Sequence, residues 1–148
     1  MDMRYARIVS VSVLVAAQCA LSSPPATATA TTAKAEKKPL VELREQGGFA
    51  GLDNRVTVYT NGCARATRRT GPAVTRCLSD GELRELRADL KRLRLGRSQA
   101  QPPGADFIKY TLRHKGRKAT RYTLPTTWVP VVRRLQNIHR RATTGVSS

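Results

Sequence analysis

Catalysis without a metal needs a nucleophile beside a base, and the base is most often histidine. This 148-residue chain has two histidines, His114 and His139, and three cysteines, Cys19, Cys63 and Cys77. A secreted ribonuclease would set His and Glu around a phosphate, and His114, Glu42, Glu45 and the arginines are the residues available for that role. The simpler reading makes His114 a solvated turn residue and His139 a favourable charge near a helix C-terminus. Carboxylates are few, ten in the whole chain, and none forms an obvious pair. No dinucleotide fingerprint, phosphate-binding loop, HExxH helix or GxSxG elbow occurs. Two cysteines fourteen residues apart and two distant histidines also lack the spacing of a zinc site. The residue types point away from an enzyme and from any metal or cofactor held by this chain.

The start of the chain bears on where the protein works. Arg4 and Arg7 precede an apolar run, Ile8 to Ala17, and a Pro- and Ala/Thr-rich stretch follows from Ser22 to Ala33. That order predicts a secretory signal peptide over 1–28, since the apolar run is too short to span a bilayer. Cleavage fits at Ala26-Thr27-Ala28 or Ala28-Thr29-Ala30, with Ala20 as an earlier option. Gln18 before Cys19 argues against a lipoprotein. Loss of 1–28 removes Cys19 and leaves Cys63 and Cys77 alone in an oxidising compartment, so a structural disulfide is expected between them. Closing a loop of about 15 residues is worth roughly 3 kcal/mol.

The elements that must position these residues follow from periodicity. Residues 29–38 are Thr/Ala/Lys-rich and read as a flexible basic tail. A single domain is expected over 39–142, with a disordered C-terminus at 143–148. Leu40 to Arg44 alternates as a half-buried strand, and Arg55 to Thr60 forms a second one closing at Asn61-Gly62. Residues 63–78 read as irregular. Ser79-Asp80-Gly81-Glu82 is a capping box, and Leu83, Leu86, Leu90 and Leu93 recur at helical spacing, which predicts a helix over 80–94 stopped by Gly96. Asp106 to His114 and Arg117 to Leu124 make a hairpin about Lys115-Gly116. A last helix is expected from Trp128 to about Arg141, with Val131, Val132, Leu135 and Ile138 inward. The predicted class is α+β: an antiparallel sheet of about four strands, two hairpins packed by two helices, in ββ-α-ββ-α order.

Charge comes next. Lys and Arg number 27 against ten Asp and Glu, a net charge of +17, and 20 of the 27 are Arg. Arg84, Arg87, Lys91, Arg92 and Arg94 crowd the polar face of the first helix, while Arg133, Arg134, Arg140 and Arg141 stud the second. With seven aromatic residues in the chain and export predicted, specific nucleic-acid binding is not expected. A solvated helix face leads over attraction to polyanions or an anionic surface.

The remaining constellation is Gly47-Gly48-Phe49-Ala50-Gly51-Leu52, followed by Asp53. Three glycines within five residues permit positive φ and close approach of another backbone. Phe49 on such a segment either plugs a partner's pocket or folds back into the core. The residues alone leave both open.

Taken together, Gly47-Gly48-Phe49-Ala50-Gly51-Leu52, the Leu-periodic helix, and Gly104-Ala105-Asp106-Phe107 leading into Tyr110-Thr111-Leu112 resemble the emfourin family. Those are small protein inhibitors of thermolysin-like zinc metalloproteases, and the resemblance spans roughly residues 40–138. It implies a secreted, monomeric inhibitor whose edge from Gly47 to Asp53 docks in a protease cleft. By the same resemblance Phe49 or Leu52 fills the hydrophobic pocket beside the catalytic zinc, and Asp53 approaches the metal. The zinc would be the partner's. The leader, the Cys63–Cys77 loop and the extreme basicity depart from the family pattern.

Overall fold

Period-two alternation controls which side of the sheet each residue faces. The computed structural model describes residues 38–104 and 106–144; the expected leader, the tail over 29–37 and the last four residues lie outside them. In the first part of the chain, β1 (Pro39–Gly47), β2 (Leu52–Tyr59), β3 (Cys63–Thr67) and β4 (Val74–Cys77) form an antiparallel meander. Next come α1 (Asp80–Arg92), the hairpin of β5 (Ile108–His114) and β6 (Arg117–Arg121), and α2 (Val129–Thr144). The sheet has six strands in the order β4-β3-β2-β1-β5-β6, so β5 completes it by pairing with β1.

The α+β class and the antiparallel sheet with two helices stand as expected. The strand count does not: residues 63–78, read as irregular, supply β3 and β4. The sequence Cys63-Ala64-Arg65-Ala66-Thr67 alternates, but alanine carries little strand preference, so pairing rather than local propensity makes the strand. Cys63 and Cys77 face each other across β3 and β4 and are joined by a disulfide with S–S 2.04 Å. The bridge therefore staples a hairpin instead of tying down a loose loop.

One face of the sheet is the core. Leu43 lies opposite both Val56 and Leu112, and Val41 opposite Val58. Leu86 and Leu90 from α1 and Val131, Val132, Leu135 and Ile138 from α2 close over them, all buried. Trp128, fully buried, opens α2 and donates its indole N–H to the Arg94 carbonyl at 2.9 Å. Each large side chain so buried contributes about 1.5–3 kcal/mol.

The helix ends differ slightly from expectation. The capping box is present, with Ser79 Oγ accepting from the Glu82 amide at 3.2 Å and the Ser79 amide donating to Glu82 Oε2 at 2.8 Å. The far end of α1 comes at Arg92, where Leu93 turns extended to place Leu95 in the core. Gly96 thus lies beyond the helix and does not stop it. At its other end, α2 runs on to Thr144, past the predicted domain limit of 142. Arg68 donates to Thr143 Oγ1 there, so at least Thr143 and Thr144 do not belong to a disordered tail.

Among the described residues no helix covers the other face of the sheet. The register lays Arg65, Thr57, Glu42, Arg113 and Lys118 side by side across it, and beside that row Thr67, Arg55, Arg44, Thr111 and Thr120.

Candidate functional site

The tip of the β1–β2 hairpin follows from three glycines in a row of six residues. Gly47 pairs with Leu52 as the last rung of the ladder, leaving Gly48 to Gly51 as the turn. The Gly51 amide donates to the Gly48 carbonyl at 2.9 Å. Gly47, Gly48 and Gly51 have φ of +96°, +72° and +57°, a region that L side chains avoid. Phe49 occupies the outer corner and is 95% exposed. A buried phenylalanine side chain is worth about 1.5–3 kcal/mol, and here that gain is not taken within the chain. Of the two open readings, the plug and the fold-back, the geometry excludes the fold-back.

Two neighbouring segments reach the same end. A Cβ on Gly47 would lie 2.6 Å from the Phe107 carbonyl oxygen, so the chain entering β5 passes directly against the hairpin. Phe107 itself is 43% exposed and sits edge-on to Tyr122, with ring centroids 6.5 Å apart. From the β3–β4 turn, the Arg69 guanidinium lies over Gly51, where a Cβ would meet its Nη1 at 2.5 Å. Phe49 and Phe107 are the two large apolar side chains left exposed among the described residues.

Six of the seven expected docking residues form this tip: Gly47, Gly48, Phe49, Ala50, Gly51 and, half-buried at its base, Leu52. Asp53 stands apart. Its carboxylate accepts from Arg44 Nε at 3.0 Å and Nη2 at 3.1 Å, on the bare face of the sheet. The Arg44 guanidinium holds Asp53 below the usual carboxylate range, with Arg55 and Arg69 adding to the effect, and Arg44 is raised in turn. To reach a metal in another molecule this carboxylate would first have to leave Arg44.

The residues weighed for catalysis do not converge. Glu42 faces the bare side of the sheet and accepts from Arg55 at 2.7 Å. Glu45 faces the helices, is 8% exposed, and accepts from Gln136 at 2.7 Å. His114 is not a free turn residue: its Nδ1–H donates to the Leu40 carbonyl at 2.8 Å. Nor is His139 a solvated helix-end charge; it is buried and its Nε2–H donates to Thr67 of β3 at 2.9 Å, docking α2 on the sheet. His114 lies on β5 and Thr67 on β3, with β1 and β2 between them.

Part of the helical charge is also accounted for. Arg134 of α2 donates to Asp89 at 2.7 Å and to Glu85, and Arg141 donates to Glu82 at 2.7 Å, all across the α1–α2 seam. These arginines bind the two helices together and are not a free cationic stripe.

Sequence reasoning passed over two groups. Phe107 was placed in a strand without a role, although the alternation that turns Ile108, Tyr110 and Leu112 one way sends Phe107 the other. The same alternation sends Arg44, Arg55, Lys109, Arg113 and Lys118 to the bare face. No protein-family model matches this chain, and no curated protein and no solved structure matches it either.

Proposed function

We propose that this is an exported inhibitor that blocks the active-site cleft of a thermolysin-like zinc metalloprotease, with the Gly48–Gly51 turn as the inserted element. The single observation behind this reading is Phe49, 95% exposed at the outer corner of a turn closed by its own hydrogen bond. A hydrophobic anchor presented without a conformational search loses little entropy on docking. Phe49 fills the pocket next to the partner's zinc, while Leu52, half-buried, stays with the inhibitor's own hairpin. Proteolysis needs a peptide held in attack geometry at the nucleophile. A backbone fixed by the Gly51–Gly48 bond and by the Gly47–Leu52 rung resists rearrangement to that geometry, so the tip binds and is not cut. Asp53 is left out of the contact, committed to Arg44. The protein acts as a monomer, holds no cofactor, and its cations speed encounter with an acidic protease more than they tighten the complex.

The test is a titration of thermolysin, as the probe protease, with the purified protein and with Phe49→Ala and Gly48→Trp. Inhibition by the parent, weakened about 30- to 100-fold by Phe49→Ala, is the expected result. A parent that leaves the protease untouched, or a Phe49→Ala protein as potent as the parent, sinks the reading.

A further inference from the structure

The bare face of the sheet is a second surface with a different chemistry, and it does not depend on the inhibitor reading. Six cations project from it: Arg44, Arg55, Arg65, Lys109, Arg113 and Lys118. Against them stand two carboxylates, and both are spent. Glu42 is held by Arg55, and Asp53 by both nitrogens of the Arg44 fork. Among the described residues Arg65, Lys109, Arg113 and Lys118 have no carboxylate within ion-pair distance.

Arg113 and Lys118 are moreover direct cross-strand partners. Like charges set opposite one another destabilise a hairpin, and Glu42 on the other side of Arg113, already held by Arg55, offsets this pair only in part. A cleft of about 380 Å³ runs beside it, bordered by Arg44, Arg55, Lys109, Arg113 and Lys118, with Glu42 its one carboxylate and Thr111 and Thr120 at the rim. Strand spacing of about 4.8 Å and a two-residue repeat of about 6.8 Å set these cations out as a regular grid that follows the twist of the sheet.

We propose that this face binds a linear phosphate polymer. Arginine forks match tetrahedral oxyanions in bidentate fashion, and the Thr111–Thr120 hydroxyl pair at the cleft's rim, bonded to each other at 3.2 Å, keeps one hydrogen to donate. At its middle the face lacks the apolar and aromatic anchors of a protein interface, since Phe107 and Tyr122 stand at the end near the Gly48–Gly51 turn. It has no ring at its centre on which a nucleobase could stack. Tyr59 lies at the end of β2, bordering a smaller cleft with Arg55 and Arg65. A narrow, charge-dense chain without rings is the occupant that uses what the face offers and misses nothing.

The experiment measures binding of the purified protein to long-chain inorganic polyphosphate across a salt series, with heparin and a single-stranded oligonucleotide as competitors. Submicromolar binding with a steep salt slope is expected, poorly displaced by either competitor at equal charge. Arg113→Gln combined with Lys118→Gln should weaken it about 10- to 30-fold without lowering the melting temperature, because the substitutions relieve a repulsion. Arg84→Gln combined with Lys91→Gln removes the same charge from the exposed side of α1 and should change affinity less than twofold. Equal losses in the two double variants would reduce the effect to net charge and overturn the proposal. So would absent binding, or displacement by heparin or the oligonucleotide at lower concentration than polyphosphate itself. Phe49→Ala should bind polyphosphate like the parent, which keeps this result separate from the fate of the inhibitor reading.

Discussion

The two ends of the sheet are built on opposite principles. At the end holding the β2–β3 and β5–β6 turns, a disulfide joins Cys63 to Cys77, and the Ser79–Glu82 capping box follows two residues after Cys77. The β5–β6 turn there is Lys115-Gly116, with φ of +49° and +74° and a charged side chain in water. At the other end the β1–β2 turn is also tight and also relies on positive φ, yet it displays Phe49, and Phe107 shows beside it. One end is what stability alone would choose. The other leaves an apolar ring in water at its most prominent corner, and the proposed docking rests on that asymmetry.

The contrast can be broken or sharpened by substitution. The largest effect is expected from replacing both Cys63 and Cys77 by Ser: about 3 kcal/mol of unfolding free energy lost in urea titrations, with inhibition unchanged while the protein stays folded. If inhibition vanished with stability intact, the stapled end would be the docking end. Phe49→Ala should do the reverse, costing about 2–3 kcal/mol of binding while moving the urea midpoint by less than about 0.5 kcal/mol equivalent. A substantial loss of stability there would mean the ring is packed in solution. Gly47→Ala touches both properties, since φ of +96° and the nearby Phe107 carbonyl both oppose a methyl group. About 2 kcal/mol of stability should be lost, read by thermal melting, with weaker inhibition alongside.

Acid distinguishes the ends more gently. Asp53 is held below the usual range by Arg44 at the tip end, and Glu82 by its hydrogen bond from Ser79 at the other. A folded-state pKa below the unfolded one stabilises the protein above about pH 4 and ceases to do so as pH falls through the lowered folded value. Asp53→Asn and Glu82→Gln should therefore be less stable than the parent at pH 7 and converge with it near pH 2. A gap that persists at pH 2 would mean the side chains act by packing instead of charge. The smallest change is Lys115→Asn, expected to raise stability by about 0.5 kcal/mol because asparagine tolerates positive φ better than lysine.

Much of the fold was legible where a pattern repeats along the chain. The capping box, the inward valines and leucine of α2, and the Lys115-Gly116 turn all depend on residues within a few positions of each other. β3 and β4 escaped because Ala64 and Ala66 carry no strand signal of their own and are strands only through pairing with β2 and with each other. His139 was read by its place near a helix end, but its partner, Thr67, lies 72 positions away. Asp53 was read as a neighbour of the glycines, whereas alternation turns it off the tip and onto Arg44.

By itself the chain determined which residues alternate, where helices start, and that a glycine-rich bend would carry Phe49, with its direction left open. Tertiary structure alone decided that Phe49 stands in water, that Phe107 arrives beside that bend, and that cations from five strands share the uncovered face. Local preference is a property of a few consecutive residues. Convergence depends on the pairing register of β1 with β5, strands separated by sixty residues, which only burial of Leu43 against Leu112 fixes.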